Sequence, residues 1–169
     1  MSNFQFLHTQ WPDIFAIAKE AEELANEKAR SSLVNSRAAL EKGVRWMCVN
    51  DSRLTPEYNE RETVYRILIS NYFKSAVSEK PFRKKLHLLQ QLGNQAAHGE
   101  ETSIDKSNIG IKILFEFCCF LALSYGDLEI KTPVFTNIEF TGNEISETKE
   151  ELKRLETQLE KQLQKDQAQ

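Results

Sequence analysis

The sequence predicts an all-α protein, a bundle of four to five helices followed by a charged C-terminal helix. Apolar residues recur at helical spacing along most of the chain, and proline, glycine and turn-forming residues mark where those segments begin and end. Strand-like alternation is confined to one short stretch, residues 132–140. With 169 residues, of which 40% are apolar and 28% charged, the chain is long enough for one domain and an appendage.

The first two helices are predicted over residues 12–26 and from residue 27 or 28 to residue 49. Pro12 suits a first helical position, because the N–H group that it lacks would be unpaired there. The second helix stops at the turn-forming residues 50–52. Its predicted apolar stripe consists of Leu33, Leu40, Val44, Met47 and Cys48.

A third helix is predicted over residues 60–77, a fourth over 81–98 and a fifth over 107–125. Gly99 follows the fourth helix at the position where a left-handed residue closes a helix. The fifth helix is apolar on nearly all sides, which is typical of a helix in the middle of a bundle. The third helix has a predicted buried side made of Val64, Ile67, Leu68 and Tyr72.

The composition changes near residue 144, which divides the chain into a helical domain, 1–143, and a charged helical tail or linker, 144–169. The extended stretch at 132–140 is expected to lie against the bundle. The tail has a narrow apolar seam, compatible with a short coiled coil or with a frayed single helix. On either interpretation, removing the tail is expected to leave the melting temperature of the domain nearly unchanged. The seam residues are Ile145, Leu152, Leu155 and Leu159.

Composition and motifs exclude several classes of protein. The net charge of −3 lacks the basic excess of a typical nucleic-acid binder. Three cysteines without a CxxC pair indicate neither a disulfide framework nor a zinc site, and no P-loop motif for ATP is present. The most apolar stretch, 109–123, contains two charges and is too short to span a bilayer. We therefore expect a cytoplasmic protein that binds no metal and no cofactor and contacts no membrane.

The fourth helix carries the most unusual segment, Leu92–Gly99. Gly93 costs about 1 kcal/mol relative to alanine within a helix, so it indicates either the close approach of another helix or a ligand. The opposite face is expected to present a stripe of amide and imidazole side chains. This stripe suits a local hydrogen-bond network, a polar interface or a degenerate nucleotide-contacting site. Its members are His87, Gln91, Asn94 and His98.

Arg37 lies in the middle of the apolar stripe of the second helix. A buried arginine needs a partner, and Glu41, one helical turn further on, can supply a carboxylate. We therefore predict a structural ion pair between Arg37 and Glu41.

Three groups of residues, in this order and spacing, resemble the N-terminal module of type I restriction enzyme R subunits. That module is a family of unknown function related to the HEPN helical domains, whose name stands for higher eukaryotes and prokaryotes nucleotide-binding. The resemblance covers roughly residues 1–143. The groups are Asn3–Leu7 with Trp11-Pro12, Ser36–Glu41 with Val44–Met47, and Leu92–His98.

The resemblance implies a HEPN-like helical bundle within a restriction–modification protein. The complete parent protein would be an ATP-dependent type I restriction endonuclease, while this chain alone would be a non-catalytic interaction or regulatory module. Its expected partners are other subunits or domains of the complex, with DNA contacted through the parent complex. A homodimer is also compatible with the family.

An alternative is a HEPN-type endoribonuclease that works without a metal ion. Active members of that family pair an arginine with a histidine a few residues later on one helix, and His98 matches the histidine. Residues 90–93, at the plausible arginine positions, carry no charge, and Arg83 is about four helical turns upstream of His98. A second alternative is a helical adaptor unrelated to restriction.

Overall fold

The computed structural model describes residues 1–127, 129–135 and 142–167, and within these ranges it contains helices and no strand. The predicted all-α fold class is confirmed. Short 3-10 turns cover Gln5–Leu7 and Phe73–Ser75. The six α-helices are α1 (Pro12–Leu24), α2 (Ala29–Asn50), α3 (Val64–Ile69), α4 (Lys80–Ala97), α5 (Ile104–Tyr125) and α6 (Gly142–Gln167).

The core is built around α2, which packs against α1, α4 and α5. Its five predicted stripe residues, Leu33 to Cys48, are all fully buried. Gly43 lets α5 approach closely, because a side-chain carbon there would lie 2.8 Å from Cζ of Phe117. By length and hydropathy α5 could cross a membrane, but 61% of its apolar window is buried inside the bundle. A helix that is mostly buried within a bundle is typically a core helix, so the burial of α5 agrees with its predicted place in the middle of the bundle.

Four of the five predicted bundle helices occur with ends that differ from the prediction by a few residues at most. The predicted closure of α4 is confirmed, since Gly99 has φ +79°. The Glu100 N–H donates to the Gln95 carbonyl at 3.0 Å, and the Gly99 N–H donates to the Ala96 carbonyl at 3.2 Å. A left-handed residue therefore satisfies the last carbonyl groups of α4.

The prediction of one long third helix over residues 60–77 is wrong. The helix begins only after Thr63, whose side chain accepts a hydrogen bond from the Arg66 N–H, and it ends before Ser70. The Ser70 hydroxyl donates to the Ile67 carbonyl at 2.6 Å while its backbone is extended. Such a hydroxyl competes with the helical backbone for hydrogen bonds, which explains the break.

The tail is helical, as predicted, and it packs against the bundle. Leu155 and Leu159 of α6 are each only 3% exposed, and α6 lies against α4. Lys84 pairs with Glu160 at 3.1 Å, and the Tyr65 hydroxyl donates to Asp166. The described part of the seam, Leu155 and Leu159, is thus covered by the bundle, because burying leucine on an available face is more favourable than leaving it in water.

Two parts of the prediction lie outside what the structure describes. Within the predicted extended stretch, residues 132–135 have no regular secondary structure, and residues 136–140 lie beyond the described ranges. Phe135 packs against Phe115 with ring centroids 5.0 Å apart, whereas Val134 is 91% exposed, so within the described part only Phe135 lies against the bundle as expected. The seam residues Ile145 and Leu152 have side chains outside the described set.

Candidate functional site

A polar cleft of about 720 Å³ opens between the middle of α2 and the C-terminal half of α4. The loop before α3 and the side of α6 complete its walls. The side chains that line it include three predicted site residues of α4, Gln91, Asn94 and His98, together with Arg37 and Glu41 of α2.

Gly93 is the reason that α2 and α4 come together at this point. A side-chain carbon on Gly93 would lie 3.0 Å from both Cγ and Cδ of Arg37 and closer still to its Cβ. Only a residue without a side chain leaves room for Arg37 to cross α4 here. This geometry confirms the close-approach interpretation of Gly93.

Arg37 reaches over Gly93 and its Nη1 donates to Oδ1 of Asn94. Arg37 is half-buried, and its Nε is buried with no hydrogen-bond partner. Among the described residues, no carboxylate lies within ion-pair distance of the guanidinium. The cleft therefore contains a half-buried positive charge that is held by a neutral amide.

The predicted ion pair between Arg37 and Glu41 is wrong. The Glu41 carboxylate instead pairs with Arg45, the next turn along α2, at 3.3 Å. An acid that precedes a base by four residues is the more favourable order on a helix, and Arg37 precedes Glu41. Arg37 is also drawn across the interface to Asn94, so it turns away from Glu41.

Three members of the predicted polar stripe share the cleft. Gln91 and Asn94 are half-buried, whereas His98 is exposed just beyond the last residue of α4. The Oε1 atom of Gln91 is buried without a hydrogen-bond partner. The His98 backbone N–H donates to the Asn94 carbonyl at 3.0 Å, while its side chain remains at the rim. This wall offers unused amide and imidazole groups.

The fourth predicted member of the stripe, His87, does not belong to this wall. It is only 4% exposed and lines a separate cavity on another side of α4. Its ring lies 6.0 Å from that of Tyr65, edge to face. Helical spacing placed His87 on the polar face, but α3 and α6 cover that part of α4 in the folded chain.

The cleft also includes residues that the sequence did not single out. Arg45 donates to the Tyr58 hydroxyl at 3.1 Å and to the Glu62 carbonyl at 2.9 Å, so it fixes the loop that forms one wall. Desolvation lowers the pKa of Arg45, but the side-chain hydrogen bonds with Tyr58 and Glu41 outweigh it and raise the pKa above its ordinary value. Arg61 at the rim, with Leu159 and Gln162 of α6, also lines the cleft. No local pattern marks residues that meet only through loops and a distant helix.

The three groups of residues that carry the family resemblance pack onto one another. Trp11 of the first group contacts Trp46 of the second, with ring centroids 5.4 Å apart. Arg37 of the second group crosses Gly93 of the third. These residues thus have structural roles at helix contacts, and Asn94 and His98 extend from one such contact into the cleft.

The arrangement suits recognition of polar or anionic groups. It combines a guanidinium without a carboxylate partner, two amides and an exposed imidazole. Within the described part of the chain, no group of three histidine, cysteine, aspartate or glutamate side chains is placed to hold a metal ion. Comparisons of the chain with protein-family models, curated proteins and solved structures give no match.

Proposed function

We propose that this chain is a non-catalytic interaction module and that the cleft between α2 and α4 is its contact surface. The resemblance in residues 1–143 favours a restriction–modification R subunit as its setting, with partners among the other subunits of that complex. In this proposal the module works in the cytoplasm and contributes binding rather than chemistry.

One observation carries the proposal, which is the unused hydrogen-bonding capacity around Arg37. The guanidinium has a neutral partner, Asn94. The Oε1 atom of Gln91, in the same cleft, is buried without a hydrogen-bond partner. A buried polar group without a partner costs about 1–3 kcal/mol, so a partner protein that supplies the missing group gains affinity. Carboxylate and amide side chains are the groups that match this wall.

The same geometry argues against catalysis. A HEPN-type site needs a cation that stabilises charge developing on the phosphate and a histidine that transfers protons. Residues 90–93 of α4, the positions at which a cation would precede His98 on the same helix, carry no charge. Losing one preorganised electrostatic partner typically reduces the rate by about 10²–10³-fold.

A second candidate function is a metal-independent endoribonuclease, and one observation favours it. Arg37 of α2 and His98, just beyond α4, line the same cleft, so in this candidate function another helix would supply the arginine that α4 lacks. His98 would be the general acid or base, and Arg37 would stabilise the charge on the phosphate.

A binding experiment tests the first proposal. The chain is titrated with purified methyltransferase and specificity subunits of a type I restriction–modification system, and complex formation is followed by size-exclusion chromatography and calorimetry. Gln91 and Gln95 both line the cleft, and the double variant Gln91→Ala with Gln95→Ala should weaken binding at least about tenfold, which is 1.4 kcal/mol. Lys112→Ala, at an exposed position of α5, is the matched control and should bind normally. Equal binding by both variants would remove the cleft from the interface.

A cleavage experiment decides between the two functions. Purified chain is incubated with labelled RNA and DNA, with and without magnesium, and we expect no cleavage above background. Cleavage that disappears in both His98→Ala and Arg37→Ala would establish the ribonuclease instead. His8→Ala is the matched control, because His8 is exposed and does not line the cleft.

A further inference from the structure

A second cavity, of about 240 Å³, lies on the side of α4 that faces α3 and α6. The basic side chains of Lys74, Lys80, Arg83 and Lys84 line it. Among the described lining residues the one acid is Glu160. The whole chain carries a net charge of −3, so this concentration of positive charge is local.

Three of these four cations have no carboxylate partner among the described residues. Lys74 donates to the Asn71 side chain at 3.3 Å, and Arg83 donates from Nη1 to the carbonyls of Val77 and Ser78. The fourth cation, Lys84, pairs with Glu160 at 3.1 Å. The cavity therefore has an excess of positive charge that the protein does not neutralise.

The position of these charges is unfavourable for the fold. Lys80 and Arg83 lie in the first turn of α4, which itself contains no acidic residue, although Glu79 occupies the N-cap position before it. The positive end of the helix dipole is at that terminus, where anions are stabilised and cations are not. A bound anion would reverse this penalty, because it would interact favourably with both the dipole and the side chains.

His87 adds an independent observation inside the same cavity. It is one of the lining residues, it is only 4% exposed, and its Nδ1 is buried without a hydrogen-bond partner. Burial, together with the nearby charge of Arg83, lowers the pKa of His87 to about 4. A hydrogen bond with the Leu68 backbone acts in the opposite direction and raises the pKa, but it is outweighed. The imidazole is thus neutral near pH 7, beside a cavity that attracts anions.

We propose that this cavity binds a phosphoryl group, either free inorganic phosphate or the terminal phosphate of a nucleotide. Lys74, Lys80 and Arg83 neutralise its charge, and the neutral ring of His87 forms part of the cavity wall beside it. The volume is below the roughly 300–1,000 Å³ of typical small-molecule sites, so the phosphoryl group enters and a nucleoside stays outside. This site is separate from the cleft of the proposed function.

Histidine nuclear magnetic resonance tests the proposal directly, because the chain has only three histidines, His8, His87 and His98. The full chain is titrated with inorganic phosphate and, in a second arm, with adenosine monophosphate, against sodium chloride at matched ionic strength. We expect a saturable shift of the His87 ring signal, with the signals of His8 and His98 nearly unchanged. The signal of His87 is assigned by its loss in His87→Gln.

Two variants distinguish phosphate binding at this cavity from nonspecific attraction of phosphate to positive charge. Lys74→Gln combined with Lys80→Gln should weaken phosphate binding at least about tenfold, which is 1.4 kcal/mol. Lys112→Gln removes an exposed charge elsewhere and should leave the affinity unchanged. Tighter binding of adenosine monophosphate would identify a nucleotide as the source of the phosphate, and equal binding would identify the phosphoryl group alone. The absence of a saturable His87 shift, or full affinity in the double variant, would overturn the proposal.

Discussion

Arg37 of α2 crosses α4 directly over Gly93. This contact sets the spacing of the two helices. It also positions the Arg37 guanidinium, which donates a hydrogen bond to Asn94. The glycine and the arginine are 56 positions apart in the chain, from 93 back to 37. A packing requirement in α4 thus determines where a charge of α2 enters the cleft. The first two predictions test this relationship.

Gly93→Ala is expected to destabilise the protein, although alanine is the better helix former by about 1 kcal/mol. The new side-chain carbon meets Cβ, Cγ and Cδ of Arg37, so the two helices must move apart. Overpacking of this kind costs about 1–3 kcal/mol, which outweighs the gain in helix propensity. Urea denaturation measures the change. Gln95→Ala in the same helix is the control, and a stabilised Gly93→Ala variant would contradict the close approach.

Arg37 and Asn94 should be energetically coupled, whereas Arg37 and Glu41 should not. Arg37→Ala removes a hydrogen bond from a charged donor, and such bonds contribute about 1.5–3 kcal/mol when buried and less when water can replace them. Because Arg37 is half-buried, we expect a loss of about 1–2 kcal/mol. A double-mutant cycle with Asn94→Ala should give a coupling of about 1 kcal/mol. The cycle with Glu41→Ala should give a value near zero, and the reverse pattern would restore the ion pair that the sequence predicted.

Removing the seam of α6 should lower the melting temperature, contrary to the expectation drawn from composition. Leu155 and Leu159 are both 3% exposed, and leucine-to-alanine changes at buried sites cost about 2–5 kcal/mol each. We expect the lower end of that range, because α6 packs on one side only. Thermal unfolding of Leu155→Ala and Leu159→Ala is compared with Gln158→Ala, at an exposed position between them. Three identical melting curves would show that the tail does not stabilise the bundle.

The stability of the protein should fall as the pH decreases from 6.5 towards 4. His87 has its pKa lowered from 6.5 to about 4, mainly by burial, so in this window the unfolded chain binds a proton that the folded chain does not. The full loss from this group is about 3 kcal/mol, because the pKa of His87 is about 4 in the folded chain and 6.5 in the unfolded chain. Urea titrations at several pH values measure it. His87→Gln should flatten the dependence, and an unchanged slope would show that His87 is not the group responsible.

Asp51 should stabilise the end of α2 across that whole pH range. Its carboxylate accepts hydrogen bonds from Arg53 at 2.7 Å and from the Tyr125 hydroxyl at 2.6 Å. The hydrogen bond from Arg53, ahead of that from Tyr125, holds the pKa of Asp51 well below its usual range despite burial. Its contribution is therefore present above the unfolded pKa of 3.8 and is lost only under more acidic conditions.

Asp51→Asn is accordingly expected to cost about 1.5–3 kcal/mol at neutral pH, because it removes the charge from a buried acceptor of four hydrogen bonds. Tyr125→Phe should cost about 1 kcal/mol, since it removes one hydrogen bond and retains the ring. Urea denaturation compares both with Asp127→Asn, an exposed control. A larger loss in Tyr125→Phe than in Asp51→Asn would mean that Tyr125 acts mainly through another contact.

Local pattern was sufficient for most of the helices and for part of the site. Helical periodicity identified the buried stripe of α2, and Gly99 marked the end of α4 because only a residue that tolerates positive φ closes a helix in this way. The same periodicity grouped Gln91, Asn94 and His98, which do share one cleft. These features depend on neighbours within one or two turns, so the sequence alone predicts them.

The tertiary structure decided the features that depend on contacts between distant segments. Periodicity placed His87 on the polar face of α4, but whether that face meets water depends on α3 and α6, so His87 is buried. Glu41 was the nearest carboxylate to Arg37 along the helix, yet Asn94 became its partner because Gly93 brings α4 within reach. The sequence thus determined which residues share a face of each helix. Only the packing of the helices determined what each face contacts, because burial and partner choice are set by whichever segment covers it.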